Sequence, residues 1–208
     1  MNTIGLVAFA LVGSAKAIRE EFDLLGVAVV GLVTAFGGGA TRDVLVNRVP
    51  LALQSMGEIS LGLLGVALAL GLSVLLDGPD RHPITLVSDA LGLAAFTTAG
   101  AIVATDAGVS AFGVVAVAAI NACGGGAFAD ILLDRSPFIL FDDFYASCSI
   151  GGGATYWVVV TASGSGGLAA GVCAAVTVGL RLTAVTRGWE LPTAQVLGRV
   201  GRRFGDKR

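Results

Sequence analysis

Glycine does its chemistry through the backbone, and this chain concentrates it in two triplets, Gly37-Gly38-Gly39 and Gly124-Gly125-Gly126, each deep in an uncharged apolar run. Glycine is about 1 kcal/mol worse than alanine in a helix. Each triplet is therefore expected to kink or unwind the segment that holds it. Freed carbonyls can coordinate a cation, and half-helix N-termini can hold an anion. The competing reading is close packing, because small residues let membrane helices approach. Thr34 and Asn121 each stand three residues before a triplet, one helical turn away. They either line the same path or bond one helix to another. Asp43 and Asp130 each follow a triplet by four residues. They either draw cations to the two mouths of a path or form interfacial ion pairs, with Arg42 or Arg48 as partners. Asp89, early in another apolar run, is either a functional intramembrane charge or a helix cap. The expected ion or substrate pathway is thus Thr34, Asn121 and the six triplet glycines, with Arg42, Asp43, Asp89 and Asp130 as mouth or gating charges.

The elements that position these residues come from a duplication. The triplets lie 87 residues apart, and residues 5–53 match residues 92–140 without a gap at 19 of 49 positions. The matches include Phe9 with Phe96, Gly26 with Gly113, Asp43 with Asp130, Arg48 with Arg135 and Pro50 with Pro137. A third glycine run, Gly151-Gly152-Gly153, is expected to allow close helix packing, with Tyr156 and Trp157 after it at a membrane interface.

Composition names the medium. The chain is 55% hydrophobic and 13% charged, with mean hydropathy +0.85; soluble domains carry about 25% charged residues. Residues 24–41, 59–76, 90–105, 107–129 and 144–180 contain no Asp, Glu, Lys or Arg. Runs of about 18 such residues read as membrane helices. The last run would be roughly 55 Å long as one helix, too long for a hydrocarbon core of about 30 Å. Its middle, Ser163 to Gly167, has turn composition. Seven spans follow: 2–18, 24–41, 57–76, 85–105, 111–129, 144–162 and 168–186. The N-terminal segment lacks a basic leader and is itself half of the repeat, so it is read as the first span.

The fold class is therefore all-α and integral to the membrane: seven transmembrane helices in two three-helix repeats plus a seventh helix. The units are 1–76, 77–162, 163–190 and a basic tail, 191–208. Three spans per repeat force the second copy to enter from the opposite side, so the repeats are inverted about an axis in the membrane plane. Lys16, Arg19, Arg81, Arg135, Arg187 and the tail charges fall on one side, Arg42 and Arg48 on the other. The positive-inside rule places the C-terminus in the cytoplasm and the N-terminus outside. The tail can touch anionic lipid.

Several classes are set aside. One histidine, His82, and no clustered metal ligands argue against an enzyme. Cys123, Cys148 and Cys173 all fall inside spans and suggest buried thiols. No basic tract precedes residue 199, so nucleic acid is not an expected partner.

The strings VGLVTAFGGGATRDVL, SDALGLAAF and INACGGGAFADILL resemble the bacterial and archaeal form of the trimeric intracellular cation (TRIC) channel family, a duplicated membrane domain also labelled a glycine transporter. The resemblance covers about residues 2–192. It implies a seven-helix homotrimer in the cell membrane with a pore through each protomer, between the inverted halves and beside the glycine-kinked second and fifth helices. The implied function is a monovalent cation channel with potassium as the dominant permeant ion, sodium also passing, and no cofactor. The alternative is a secondary transporter for glycine or another small zwitterion. The family often has Arg-Asp after both triplets; here the second copy has Ala129-Asp130. Animal members carry a basic pore-helix residue and a regulatory lipid, with no clear equivalent in this sequence.

Overall fold

A computed structural model of the chain describes residues 2–75, 83–140, 144–189 and 191. Arg81, His82 and the basic tail from Pro192 lie outside the described residues. All seven expected spans are helices: α1 (Asn2–Arg19), α2 (Leu24–Leu45), α3 (Met56–Leu75), α4 (Pro83–Asp106), α5 (Ala111–Leu132), α6 (Tyr145–Ser163) and α7 (Gly166–Arg187). Among the described residues, α2, α3, α4, α5 and α7 are each long and apolar enough to cross a membrane alone. Large apolar side chains such as Leu24, Leu25, Leu63, Leu64 and Phe112 stand exposed on the outer faces, where lipid is their solvent.

The repeat is visible in the smallest details of how helices begin and end. Asp23 caps α2 by accepting from Gly26 N–H at 2.7 Å. Ser110, its partner at the repeat offset, caps α5 by accepting from Gly113 N–H at 3.2 Å. Each cap satisfies one of the donors that a helix N-terminus leaves free. Ser110→Ala should cost about 1 kcal/mol, read as a lower midpoint in detergent denaturation followed by circular dichroism. At the other ends, Asn47 (φ 57°) and Asp134 (φ 54°) take the left-handed conformation. The chain then folds back so that Arg48 N–H bonds Asp43 C=O and Arg135 N–H bonds Asp130 C=O, at 2.7 and 2.8 Å. A single 3₁₀ turn follows each, Leu51–Leu53 and Phe138–Leu140. The shared Asp, Arg and Pro positions are thus the parts of one repeated helix-ending turn.

The two halves meet about their pseudo-two-fold axis with reciprocal contacts. Phe9 and Phe96 pack edge to face with ring centroids 4.9 Å apart. A Cβ at Gly5 would touch the Phe96 ring at 3.0 Å, and one at Gly92 would overlap the Phe9 ring. Gly13 lies against Thr34 and Gly100 against Asn121 in the same matched way. The small residues of α1 and α4 therefore serve contacts within the protomer. Behind the axis, Gly65 of α3 approaches the α1 backbone, while Gly152 and Gly153 of α6 approach Thr177 and Ala118. The packing role expected of that third glycine run is what the structure shows. Tyr156, expected at an interface, is instead buried at 3% exposure in the core of the second half.

The turn between α6 and α7 is the expected glycine–serine stretch. Gly164 ends α6 at φ 66°, and Ser165 caps α7 by accepting from Leu168 N–H at 3.3 Å. The three cysteines are buried.

Candidate functional site: the crossing of α2 and α5

Both glycine triplets lie inside uninterrupted α-helix. The expectation that they unwind, freeing carbonyls or creating half-helix termini, is corrected. The physical reason is contact. A Cβ at Gly38 would overlap the carbonyl oxygen of Asn121, and one at Gly125 would overlap that of Thr34. The middle glycines let each helix lie directly on the other's backbone, one turn before the other's triplet. The triplets themselves meet, since a Cβ on Gly124 would lie 3.2 Å from Gly38 Cα and one on Gly37 would lie 3.5 Å from Gly125 Cα. Packing at this density repays the poor helix propensity of glycine.

The outer glycines have other surroundings. Gly37 faces the Phe128 ring, and Gly126 faces the Phe138 ring, 3.3 Å from a built Cβ. Around Gly39 a Cβ would meet only Asn121 Oδ1 at 3.8 Å and Arg42 Nη2 at 3.9 Å.

Thr34 is buried, and its hydroxyl donates to Val30 C=O of its own helix at 2.7 Å. Asn121 bonds between helices: Nδ2 donates to Phe96 C=O on α4 at 2.6 Å. Asp43 and Asp130 are buried, at 4% and 3% exposure, and both are paired. Arg42 Nη2 lies 2.7 Å from Asp43 Oδ1, and Asp43 Oδ2 accepts from Leu51 N–H at 3.1 Å. Lys16 Nζ donates to Asp130 Oδ1 at 2.9 Å, and Asp130 Oδ2 accepts from Phe138 N–H at 3.0 Å. Of the two readings, the paired carboxylate is the one built. Each carboxylate also holds the turn that follows its helix, at matched positions of the repeat. Ala129 stands where the first half has Arg42, and Lys16 of α1 supplies the missing cation.

The two ends of the crossing differ in consequence. At the Arg42 end lies a cleft of about 530 Å³, lined by Arg42, Asp43, Arg48, Gln54 and, from α4, Ala99, Ile102 and Val103. At the Lys16 end aromatic and cationic side chains pack over the paired carboxylate. Lys16 Nζ sits 4.6 Å over the Phe138 ring, which packs edge to face on Tyr145 at 4.7 Å. Arg181 of α7 covers the other face of this group, 4.5 Å from the Tyr145 ring centroid. Asp89 accepts from Tyr145 Oη at 2.9 Å and from Arg181 Nε at 3.4 Å. Asp89 lies six residues inside α4, which starts at Pro83, so it does not cap that helix. It ties α4 to α6 and α7. Arg135 pairs with Glu20 at the same end.

Lys16, Phe138, Tyr145 and Arg181 were not singled out by sequence reasoning. Arg181 carried a signal, being the first charge after 37 uncharged residues and lying inside a span. Lys16 carried one too, as the helix-interior cation that α4 lacks at its equivalent, Val103.

An all-helical membrane protein of two inverted triple-helix repeats that cross at a glycine contact has the architecture of a transporter or channel. The glycine-transporter family profile matches residues 1–75 and 86–161, the two halves of the repeat. The chain belongs to that family, the prokaryotic TRIC family. It is 37% identical to the UPF0126 membrane protein YvgT of Bacillus subtilis over 154 residues, 74% of this chain and 76% of that one. It is 32% identical to the UPF0126 inner membrane protein YadS of Escherichia coli K12 over 197 residues, 93% and 94% of the two chains. Among solved structures it is similar to one described as the structural basis for conductance through TRIC cation channels, at TM-score 0.86 and 35% identity over 92% of this chain and 94% of that one. It is also similar to the TRIC trimeric intracellular cation channel orthologue from Rhodobacter sphaeroides, at TM-score 0.81 and 28% identity over 90% and 96%.

Proposed function

We propose that the protein is a potassium-permeable monovalent cation channel, with a pore through each protomer along the crossing of α2 and α5. The likeness of the whole chain to solved TRIC cation channels carries this reading. The path begins in the cleft beside Arg42 and Asp43 and passes the triplets with Thr34 and Asn121. It ends under Lys16, Phe138 and Tyr145. Sodium is a second permeant ion. Three copies assemble as a homotrimer in the cell membrane, each with its own path. Lys16, Arg19, Arg135, Arg181 and Arg187 gather at one end of the helices, Arg42 and Arg48 at the other. By the positive-inside rule the Lys16 end is cytoplasmic and the N-terminus outside. The anionic inner leaflet favours the same orientation.

A carrier for glycine or another small zwitterion is the second reading, favoured by the description of the matching family. Such carriers hold the substrate carboxylate at the N-terminus of a broken helix. Uninterrupted α2 and α5 offer no such terminus. Liposomes holding the purified protein separate the two. The channel reading expects potassium efflux that drives charge uptake without saturation and is indifferent to glycine. Saturable glycine uptake with no potassium flux would replace it with the carrier.

A further inference from the structure

Asn121 is 1% exposed, and its two amide atoms meet different surroundings. Nδ2 donates to the Phe96 carbonyl. That carbonyl can only accept, so the reversed amide would set oxygen against oxygen. Oδ1 is therefore turned away from α4. Among the described residues nothing donates to it. Leaving a buried amide oxygen unpaired costs about 1–3 kcal/mol, and a built polar group of this kind asks for a partner.

The oxygen looks onto Gly39, the one glycine of its triplet whose place packing does not demand. Gly38 is pressed on the Asn121 carbonyl and Gly37 on the Phe128 ring, whereas a methyl on Gly39 would fit with only ordinary contacts. Alanine would make a better helix there by about 1 kcal/mol. Glycine instead leaves a space beside Asn121 Oδ1. This space adjoins a small, half-open hollow of about 20 Å³, lined by Gly39, Arg42, Asp43 and Glu58 among mostly apolar residues. A cavity of that measure holds about one water-sized particle. Arg42, Asp43 and Leu51 line both this cavity and the large cleft. The two spaces thus lie on either side of the Arg42–Asp43 pair, and Gly39, beside the Asn121 oxygen, lines the smaller one.

The chemistry is that of a weak cation ligand. An amide oxygen only accepts, so it suits a cation and repels an anion. A divalent ion is bound through several oxygens, carboxylates among them; of the two carboxylates that line this cavity, Asp43 is taken by Arg42 and Glu58 is not free. One neutral oxygen is strong enough to replace a hydration water and weak enough to release the ion. Among the described residues the other half does not repeat the feature. At the repeat-matched place in the other half, the Thr34 hydroxyl is spent on its own helix and Gly126 is covered by Phe138.

We propose that Asn121 Oδ1 is a ligand for the permeating monovalent cation, taking the place of one hydration water, and that Gly39 keeps the adjoining position clear. The proposal rests on the channel reading and names its ion contact. The test is single-channel recording of wild type, Gly39→Ala, Asn121→Asp and Asn121→Leu, with potassium chloride on one side of the bilayer and sodium chloride on the other. Gly39→Ala and Asn121→Leu should each lower the potassium conductance roughly fivefold, the scale of one lost hydrogen-bond-sized contact. Both should shift the potassium-to-sodium permeability ratio, while Asn121→Asp raises conductance. Asn121→Leu also removes the donor to Phe96, so Gly39→Ala, which disturbs no packing, carries the result if the leucine variant does not assemble. Wild-type conductance and permeability ratio in Gly39→Ala and Asn121→Asp would overturn the ligand while leaving the channel standing. A water that merely bridges Asn121 to Arg42 predicts that outcome. A wild type without cation current would overturn both.

Discussion

Gly125→Ala and Gly38→Ala are expected to destabilise the protein strongly, while Gly39→Ala leaves it as stable as wild type or slightly more so. A methyl on Gly125 would overlap the Thr34 carbonyl, and one on Gly38 the Asn121 carbonyl. The obstacle is backbone within a helix and cannot rotate aside. Either α2 and α5 separate or the carbonyl tilts out of its ladder, and overpacking of this kind costs about 1–3 kcal/mol or more. The gain in helix propensity, about 1 kcal/mol, offsets only part of that. Gly39→Ala keeps the gain without the overlap. The check is the midpoint of denaturation in a graded mixture of mild and harsh detergent. A ranking with Gly39→Ala lowest would contradict the packing at the crossing.

The second large effect is expected at Lys16 and Asp130. Lys16→Met leaves the Asp130 carboxylate, 5% exposed at its side chain, without its cation. Removing one partner of a fully buried pair costs about 3–5 kcal/mol; with Lys16 itself a quarter exposed, the loss falls toward the lower end of that range. Asp130→Asn in the same chain should recover most of that loss. The amide oxygen can still accept from Phe138 N–H, and no uncompensated charge remains. The double-mutant cycle in the same denaturation assay measures the coupling. Additive losses would mean that the two side chains act independently.

Most of the fold was legible in the sequence because the medium simplifies the problem. In hydrocarbon a spanning segment must satisfy its backbone internally, so charge-free length translates into helices. The offset of 87 then relates the cap and the ending turn of α2 to those of α5. Two things were not legible. Propensity says that three glycines break a helix, but propensity is silent about a second helix seated on them. Here tertiary contact outweighs it, and the triplets stay helical. The other is the partners of Asp130 and Asp89: a one-dimensional pattern puts Arg42 next to Asp43 but shows these two carboxylates without theirs. Lys16 meets Asp130 and Arg181 meets Asp89 across separations of 114 and 92 residues. Neither pairing follows the repeat. At the same positions the other half has Val103 and Asn2, so the asymmetry is a property of packing that comparing the halves hides.

Channel function requires that a cation crosses each protomer. The most direct measurement is the current through purified protein in a planar bilayer under a potassium chloride gradient. Discrete single-channel steps that reverse near the potassium equilibrium potential are expected. Steps that reverse near the chloride potential, or a bilayer that stays silent while the same preparation accumulates glycine, would contradict cation conduction.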